Sequence, residues 1–370
     1  MKAVASYYKF NPTGAFSVDW YIGKRCNFAC SYCVDYLHDY TSAHVPLENM
    51  KRLVDVVYEK HQDNVFWSLT GGEPTIHPKF LDLCRYIKDK GSKMISVTTN
   101  GSRTLAYHKE LFELVDGITL SFHFEFMETR IDEYIHKCVE LEKYRIELNS
   151  KLGTKKTLIL RFMVETSQLE NIKFMEQYFR HNGITNIEHR YIRKPSESKL
   201  NMQVKEKYEF GDKNDPNQIT DAERVIRIES KEEKFYREGE LEELEEIYKS
   251  TVDESKKKLR FWYIDDKGNY ENEDYHYNEM NFSKGNRYEG WLCWAGVKHI
   301  KVTPEGDIYI GSCHVGGRRG NMFDIESIDL PTEPIRCTKW RCTDNTDLKV
   351  PKIRDWEHYH LIRDMIEWQK

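Results

Sequence analysis

Residues 17–33 read SVDWYIGKRCNFACSYC. Their first six positions, rich in β-branched and aromatic side chains, have the character of a strand. The run leads directly into cysteines at 26, 30 and 33. Further strand-like runs lie at 64–69, 93–98, 118–123, 157–164 and 185–192. Between them apolar residues recur at helical spacing: Leu47, Met50, Val54 and Val57; Phe80, Leu83, Cys84 and Ile87; Leu111, Leu114 and Val115; Ile131, Ile135, Cys138 and Val139; Ile172, Met175, Tyr178 and Phe179. Strands joined by helices, without hairpin signals, predict a parallel sheet with right-handed crossovers. The fold class expected for residues 1–195 is α/β, a partial (β/α)6 barrel. Chemistry in such barrels gathers at the C-terminal ends of the strands, where the cysteines follow.

The remainder reads differently. Residues 196–260 are charged throughout, with a weak stripe of Phe235, Leu241, Leu244 and Tyr248, as expected of a solvated helical linker or lid. Residues 261–345 are aromatic and cysteine-bearing, and HIKVTPEGDIYIGSC (299–313) carries a hairpin signal at Glu305-Gly306. They predict a small cysteine-rich α+β domain. In residues 346–370, Tyr359, Ile362, Met365 and Ile366 at helical spacing predict a docked terminal helix.

Composition sets limits. An apolar fraction of 39% and 23 tyrosines in 370 residues suit a folded chain with a sizeable core. A formal charge of −5 gives no electrostatic ground for binding nucleic acid. MKAVASYYKF lacks the apolar run of a signal peptide, and no stretch approaches the ~20 apolar residues of a membrane span. The expectation is a cytoplasmic protein without a membrane partner. Disulfides are disfavoured there, so the nine cysteines call for a metal, a nucleophile or burial.

Cys26, Cys30 and Cys33 are close enough in sequence for their side chains to converge. Three thiolates leave a four-iron cubane one protein ligand short, and the remaining iron is open to a substrate or cofactor. Spacing alone equally allows a structural zinc site with His38 as fourth ligand. The end of the next strand bears on the choice. In SLTGGEPTIHP (68–78), Gly71 and Gly72 tolerate backbone conformations or close approaches that a Cβ hinders. Pro74 biases Glu73 towards an extended geometry. A carboxylate is thereby presented beside the cysteine loop, and a primary ammonium is the donor it suits.

C-x3-C-x2-C followed one strand later by GGEP resembles the signature of the radical S-adenosylmethionine (SAM) superfamily, over roughly residues 15–195. The resemblance implies that Cys26, Cys30 and Cys33 hold a [4Fe-4S] cluster whose open iron chelates SAM. It implies that Gly71, Gly72, Glu73 and Pro74 meet the SAM ammonium and that Tyr32 packs near the adenine. Thr99 and Asn100 in TTNGS, Ser121 and Arg161 occupy places where the family puts polar contacts to SAM. The implied activity is reductive cleavage of SAM to methionine and a 5'-deoxyadenosyl radical, which removes a hydrogen atom from a substrate. The implied electron donor is of flavodoxin or ferredoxin type.

Cys293, Cys313, Cys337 and Cys342 resemble the ligands of a Twitch domain, the shortened relative of the SPASM domain, which carries an auxiliary [4Fe-4S] cluster. Their spacing departs from that pattern: six residues separate Gly306 from Cys313, and four separate Cys337 from Cys342. A zinc ribbon on the same cysteines is the alternative. Cys84 and Cys138 fall on apolar helix faces and are expected to be buried. His123, two residues after Ser121, should face the barrel interior, as a substrate contact or a structural histidine. Arg318 and Arg319 in HVGGRRGN (314–321) belong to an anion site or a solvated turn, and His299 reads as a strand-pairing residue. Only about fifteen residues precede the barrel, so no N-terminal leader-binding domain is expected, which favours a small polar substrate such as a sugar, nucleoside or amino-acid derivative. A peptide-modifying maturase and a non-catalytic iron-sulfur or zinc protein are the other readings.

Overall fold

The computed structural model describes residues 1–9, 14–30, 32–33, 38–127, 130–164, 168–191, 257–282, 285–339, 342 and 344–363. The charged segment expected as a linker or lid lies outside them almost entirely, as does the end of the expected terminal helix. The chain divides into two compact units. One comprises Trp20–Gln203 with Thr303–Glu305, the other Met1–Asp19, Val204–Val302 and Gly306–Lys370.

The first unit is built on an α/β sheet. Strands β2 (Phe16–Tyr21), β3 (Val65–Thr70), β4 (Met94–Thr99), β5 (Gly117–Phe122), β6 (Thr157–Val164) and β7 (Ile187–Tyr191) lie side by side in chain order. From β3 to β7 every pairing is parallel. Helices α1 (Leu47–His61), α2 (Phe80–Asp89), α3 (Leu105–Leu114), α5 (Ile131–Leu152) and α6 (Leu169–His181) make the crossovers, and the one-turn α4 (Phe124–Met127) follows β5. Strand β7 ends the sheet without pairing back to β2, so the barrel is open.

Side-chain alternation fixes which face meets the helices. On β6, Leu158, Leu160, Phe162 and Val164 are buried while Ile159, Arg161 and Met163 are less so. Phe122 packs edge-on against Tyr134 and Phe179, with ring centroids 4.6 and 5.6 Å away, and lies 4.8 Å from Phe162. This aromatic cluster ties β5 and β6 to α5 and α6. On the opposite face, Ser121, Arg161 and Glu188 stand in register across β5, β6 and β7. Two helix faces differ from expectation. Helix α5 buries Tyr134, Cys138, Leu141 and Leu148 instead of Ile131 and Ile135, because the Tyr134 hydroxyl finds carbonyl partners inside. On α6, Tyr178 stays 42% exposed.

In the second unit, strand β1 (Lys2–Tyr8), which the sequence had grouped with the barrel, pairs antiparallel with β8 (Leu259–Ile264) and β15 (Lys352–Ile353). The sheet order is β14-β10-β15-β1-β8-β9, with β9 at Tyr270–Tyr275, β10 at Leu292–Cys293 and β14 at Ile335–Arg336. The expected hairpin forms between β11 (His299–Val302) and β12 (Asp307–Tyr309), with Gly306 at φ +82°. Strand β13 (Arg318–Asn321) adds to β12, and its Arg318 is paired with Asp307 at 3.0 Å. The segment after residue 345 is not one helix. It forms a short helix at Asn345–Lys349, then β15, then a 3-10 helix at Trp356–Leu361. Pro351, without a backbone N–H, separates the first two. No helix among the described residues is long and apolar enough to cross a membrane.

Phe122→Ala is expected to lower stability by about 3–5 kcal/mol through loss of its ring contacts and the cavity left behind. Chemical denaturation checks this, and a loss under 1 kcal/mol would show that the aromatic cluster does not brace the sheet.

Candidate cofactor site

The site begins with two backbones in contact. Beyond β2 and β3 the chain continues as a pair: Ile22 N–H donates to Thr70 O at 2.8 Å, Gly72 N–H to Gly23 O at 2.8 Å and Glu73 N–H to Arg25 O at 2.9 Å. A Cβ on Gly72 would stand 2.1 Å from Lys24 O and 2.5 Å from Arg25 O, and Gly71 adopts φ +147°. Only glycine fits the first position without displacing backbone, and the second favours it. The cysteine loop leaves from this junction. It is pinned further along, where Cys26 N–H donates to Asp39 O at 2.8 Å and Asp39 N–H to Lys24 O at 3.0 Å.

Glu73 is 2% exposed, and its carboxylate gathers the neighbouring strand end. Oε1 accepts from Thr75 N–H at 2.9 Å, Thr75 Oγ1 at 2.6 Å and Thr99 Oγ1 at 2.7 Å, while Oε2 accepts from Asn100 N–H at 2.6 Å. Burial raises this carboxyl above its ordinary range, and the donors from Asn100, Thr75 and Thr99 oppose that rise. Asn100 continues the chain of contacts, its Nδ2 donating to Asn27 Oδ1 in the cysteine loop at 3.0 Å. Helix α5 closes the arrangement from outside. Tyr134 donates to Asn100 O at 3.1 Å, and Lys137 Nζ donates to Gly101 O at 2.8 Å and Arg103 O at 2.9 Å.

Cys26 and Cys30 are buried and Cys33 half-buried. Phe28 N–H donates to Cys26 Sγ at 3.4 Å, and Cys33 N–H to Cys30 O at 3.0 Å. His123 faces this loop: its Nδ1 lies 3.2 Å from Cys30 Sγ and 2.7 Å from the Tyr32 hydroxyl, and the Tyr32 and His123 rings stack within 7° of parallel. Burial pushes the Cys26 thiol up to about 11 and the Cys30 thiol up to about 12. Without a cation both stay protonated at neutral pH, so metal binding must release their protons. Among the described residues no three His, Cys, Asp or Glu side chains stand close enough to hold a single metal ion. Sulfurs spread about a loop suit a cubane, whose ligands sit at separate corners, and an N–H···S bond of the kind Cys26 accepts is one that iron–sulfur thiolates take. His38, the ligand considered for zinc, has a buried Nδ1 without a hydrogen-bond partner.

Among the residues expected from sequence, Glu73, Thr99 and Asn100 form one hydrogen-bonded group and Tyr32 meets His123. Ser121 contributes its carbonyl to Tyr134 at 3.3 Å, and Arg161 is engaged by Glu188 at 3.0 Å. Asn27, Thr75, Tyr134 and Lys137 were missed. They lie off the motifs, and no local pattern marks them.

In the second unit Cys293, Cys313, Cys337 and Cys342 line one small cavity together with Asp347 and Lys352. The carboxylate of Asp347 accepts from Ser312 N–H and Cys313 N–H, both at 2.9 Å, and burial pushes it up to about 6. His299 is buried, with Nδ1 2.8 Å from Ser17 Oγ. Cys84 and Cys138 are fully buried, as expected.

Replacing Gly72 with Ala is expected to spread the junction and lower iron uptake several-fold on reconstitution, while far-ultraviolet circular dichroism stays that of a folded chain. Normal iron content in that variant would show that the close approach is dispensable. Burial lowers His108, His123 and His299 from 6.5 to about 4. Between those values the unfolded chain binds more protons than the folded one, so this stability is present above pH 6.5 and is lost as pH falls towards 4. His108→Phe is expected to reduce the slope of unfolding free energy in that window by up to about 1.4 kcal/mol per pH unit, read from denaturation series at several pH values; an unaltered slope would refute the assignment.

Residues 20–162 match the family model described as the radical SAM superfamily. An S-adenosylmethionine-dependent nucleotide dehydratase of Selenomonas ruminantium is 33% identical over 118 residues, covering 29% of this chain and 39% of that protein. A probable GTP 3',8-cyclase of Sulfurisphaera tokodaii is 33% identical over 99 residues, covering 26% and 31%. The chain thus spans about a third of the length of these curated relatives. The crystal structure of Streptococcus suis SuiB bound to precursor peptide SuiA aligns at a TM-score of 0.46 with 15% identity, over 86% of this chain and 66% of that one. Through residues 20–162 the chain belongs to the radical SAM superfamily, whose members are implied to bind a [4Fe-4S] cluster and SAM.

Proposed function

We propose that the protein is a radical SAM enzyme that acts on a small polar substrate. The observation that carries this reading is the junction at Gly72, where one stretch of paired backbone sets the cysteine loop against Gly71, Glu73 and Pro74. Cys26, Cys30 and Cys33 would hold the [4Fe-4S] cluster, leaving one iron for the amino-acid end of SAM. When bound, the cluster and SAM supply a 5'-deoxyadenosyl radical, by one-electron reduction from a flavodoxin- or ferredoxin-type donor, to remove a hydrogen atom from the substrate.

The chain's own residues position and shield that chemistry. Oε1 of Glu73 already accepts three donors and holds the strand ends together, whereas Oε2 accepts one and retains room for the SAM ammonium. Thr99 and Asn100 present the adjoining backbone. Tyr32, fixed by His123, offers its ring to the adenine. Ser121 and Arg161 line the face of the sheet away from the helices, with Glu188 in register beside them. That polar face supports a polar substrate, and the names of the two curated relatives, a nucleotide dehydratase and a GTP cyclase, agree with a small one. An auxiliary [4Fe-4S] cluster on Cys293, Cys313, Cys337 and Cys342 completes the reading as an electron acceptor; their common cavity supports it.

The test is iron and acid-labile sulfide per chain after anaerobic reconstitution, followed by incubation with SAM and a strong reductant. Expected are about eight of each and formation of 5'-deoxyadenosine, with Cys30→Ala lowering iron to about four and abolishing the product. Zinc in place of iron, or full iron loading without 5'-deoxyadenosine, would overturn the reading.

A further inference from the structure

Lys352 is 2% exposed, an unusual place for an ammonium. It sits in β15 directly opposite Cys293 of β10, and facing residues of an antiparallel pair send their side chains to the same side of the sheet. That side lines the cavity of the four cysteines. The Nζ of Lys352 donates to the carbonyls of Asp347 and Val350 and lies 5.0 Å from the centre of the Tyr288 ring. Carbonyls and a ring face stabilise a cation but bring no net charge. Among the described residues no carboxylate pairs with Lys352 within 4.0 Å. Asp347, the nearest candidate, turns its carboxylate to the Ser312 and Cys313 amides.

A buried cation without an anion is costly. Four protonated cysteines would leave Lys352 in that condition. Four thiolates around a [4Fe-4S] core make a dianion when oxidised and a trianion when reduced, and the net charge of such a group helps set its potential. Burial by itself would lower the Lys352 ammonium; the Cys342 and Cys293 sulfurs outweigh it and act more strongly than Asp347. We propose that Lys352 is the built-in counter-charge of the auxiliary cluster and raises its reduction potential by stabilising the more negative state. The inference rests on the four-cysteine reading above.

The test uses the full chain carrying Cys26→Ala, Cys30→Ala and Cys33→Ala, so that any remaining cluster signal belongs to the second unit. Lys352→Met and Lys352→Arg are compared in that background by iron content and by a redox titration followed by electron paramagnetic resonance. Lys352→Met is expected to shift the reduction equilibrium at least tenfold towards the oxidised form, about 59 mV for one electron, with Lys352→Arg restoring most of it. Loss of iron in Lys352→Met but not in Lys352→Arg would equally support the role of the charge. Iron retained at an unshifted potential, or lost alike from both variants, overturns the inference while leaving the cluster in place. Absence of iron from the background chain itself overturns the four-cysteine reading, and this inference with it.

Discussion

The barrel site depends on two backbones approaching until no Cβ can stand between them. At Gly72 the chain leaving β3 lies against the carbonyls of Lys24 and Arg25, in the chain leaving β2. Each hydrogen bond across the junction contributes only about 1 kcal/mol net. Its importance is geometric: the loop that bears Cys26, Cys30 and Cys33 starts where the Gly71–Glu73 turn ends. A ligand held by the first is necessarily beside the second.

Glu73 converts that contact into a rigid corner. Four donors converge on one buried carboxylate, and they come from its own turn and from the end of β4. Asn100 extends the network to Asn27, and Tyr134 and Lys137 bring in α5. Strand ends, cysteine loop and an outer helix are thus joined through polar contacts in a region of low dielectric, where each satisfied group counts and each lost partner leaves a buried polar atom behind. The carboxylate is a structural keystone first, and the acceptor capacity left on Oε2 is what makes it available to a ligand.

The second unit solves a different problem by similar means. Its cysteines come from β10, from the loop after the hairpin and from the residues around β14, and no short spacing unites them. Antiparallel pairing does: β10 lies between β14 and β15, and β15 in turn pairs with β1. The N-terminal strand therefore belongs to the sheet that supports the cysteine cavity. The same pairing puts a lysine opposite a cysteine, which places charge where sulfur is concentrated.

Much of this was legible from local sequence. The parallel sheet followed from strand runs and helical periods, because an α/β sheet buries one face against its helices and marks that face in the pattern. Gly71, Gly72, Glu73 and the three cysteines were legible because their work is done by near neighbours in sequence. Tertiary structure alone decided the rest. The pairing of β1, the inward turn of Tyr134, the meeting of Asn100 with Asn27, and His123 beside Cys30 all join residues far apart in the chain, and no spacing records such contacts. The final segment, whose apolar spacing suggested one helix, was decided by Pro351 and by the open edge β10 offers to Lys352 and Ile353. Local sequence specifies which backbone states are easy; only the closed set of hydrogen bonds and buried charges selects among them.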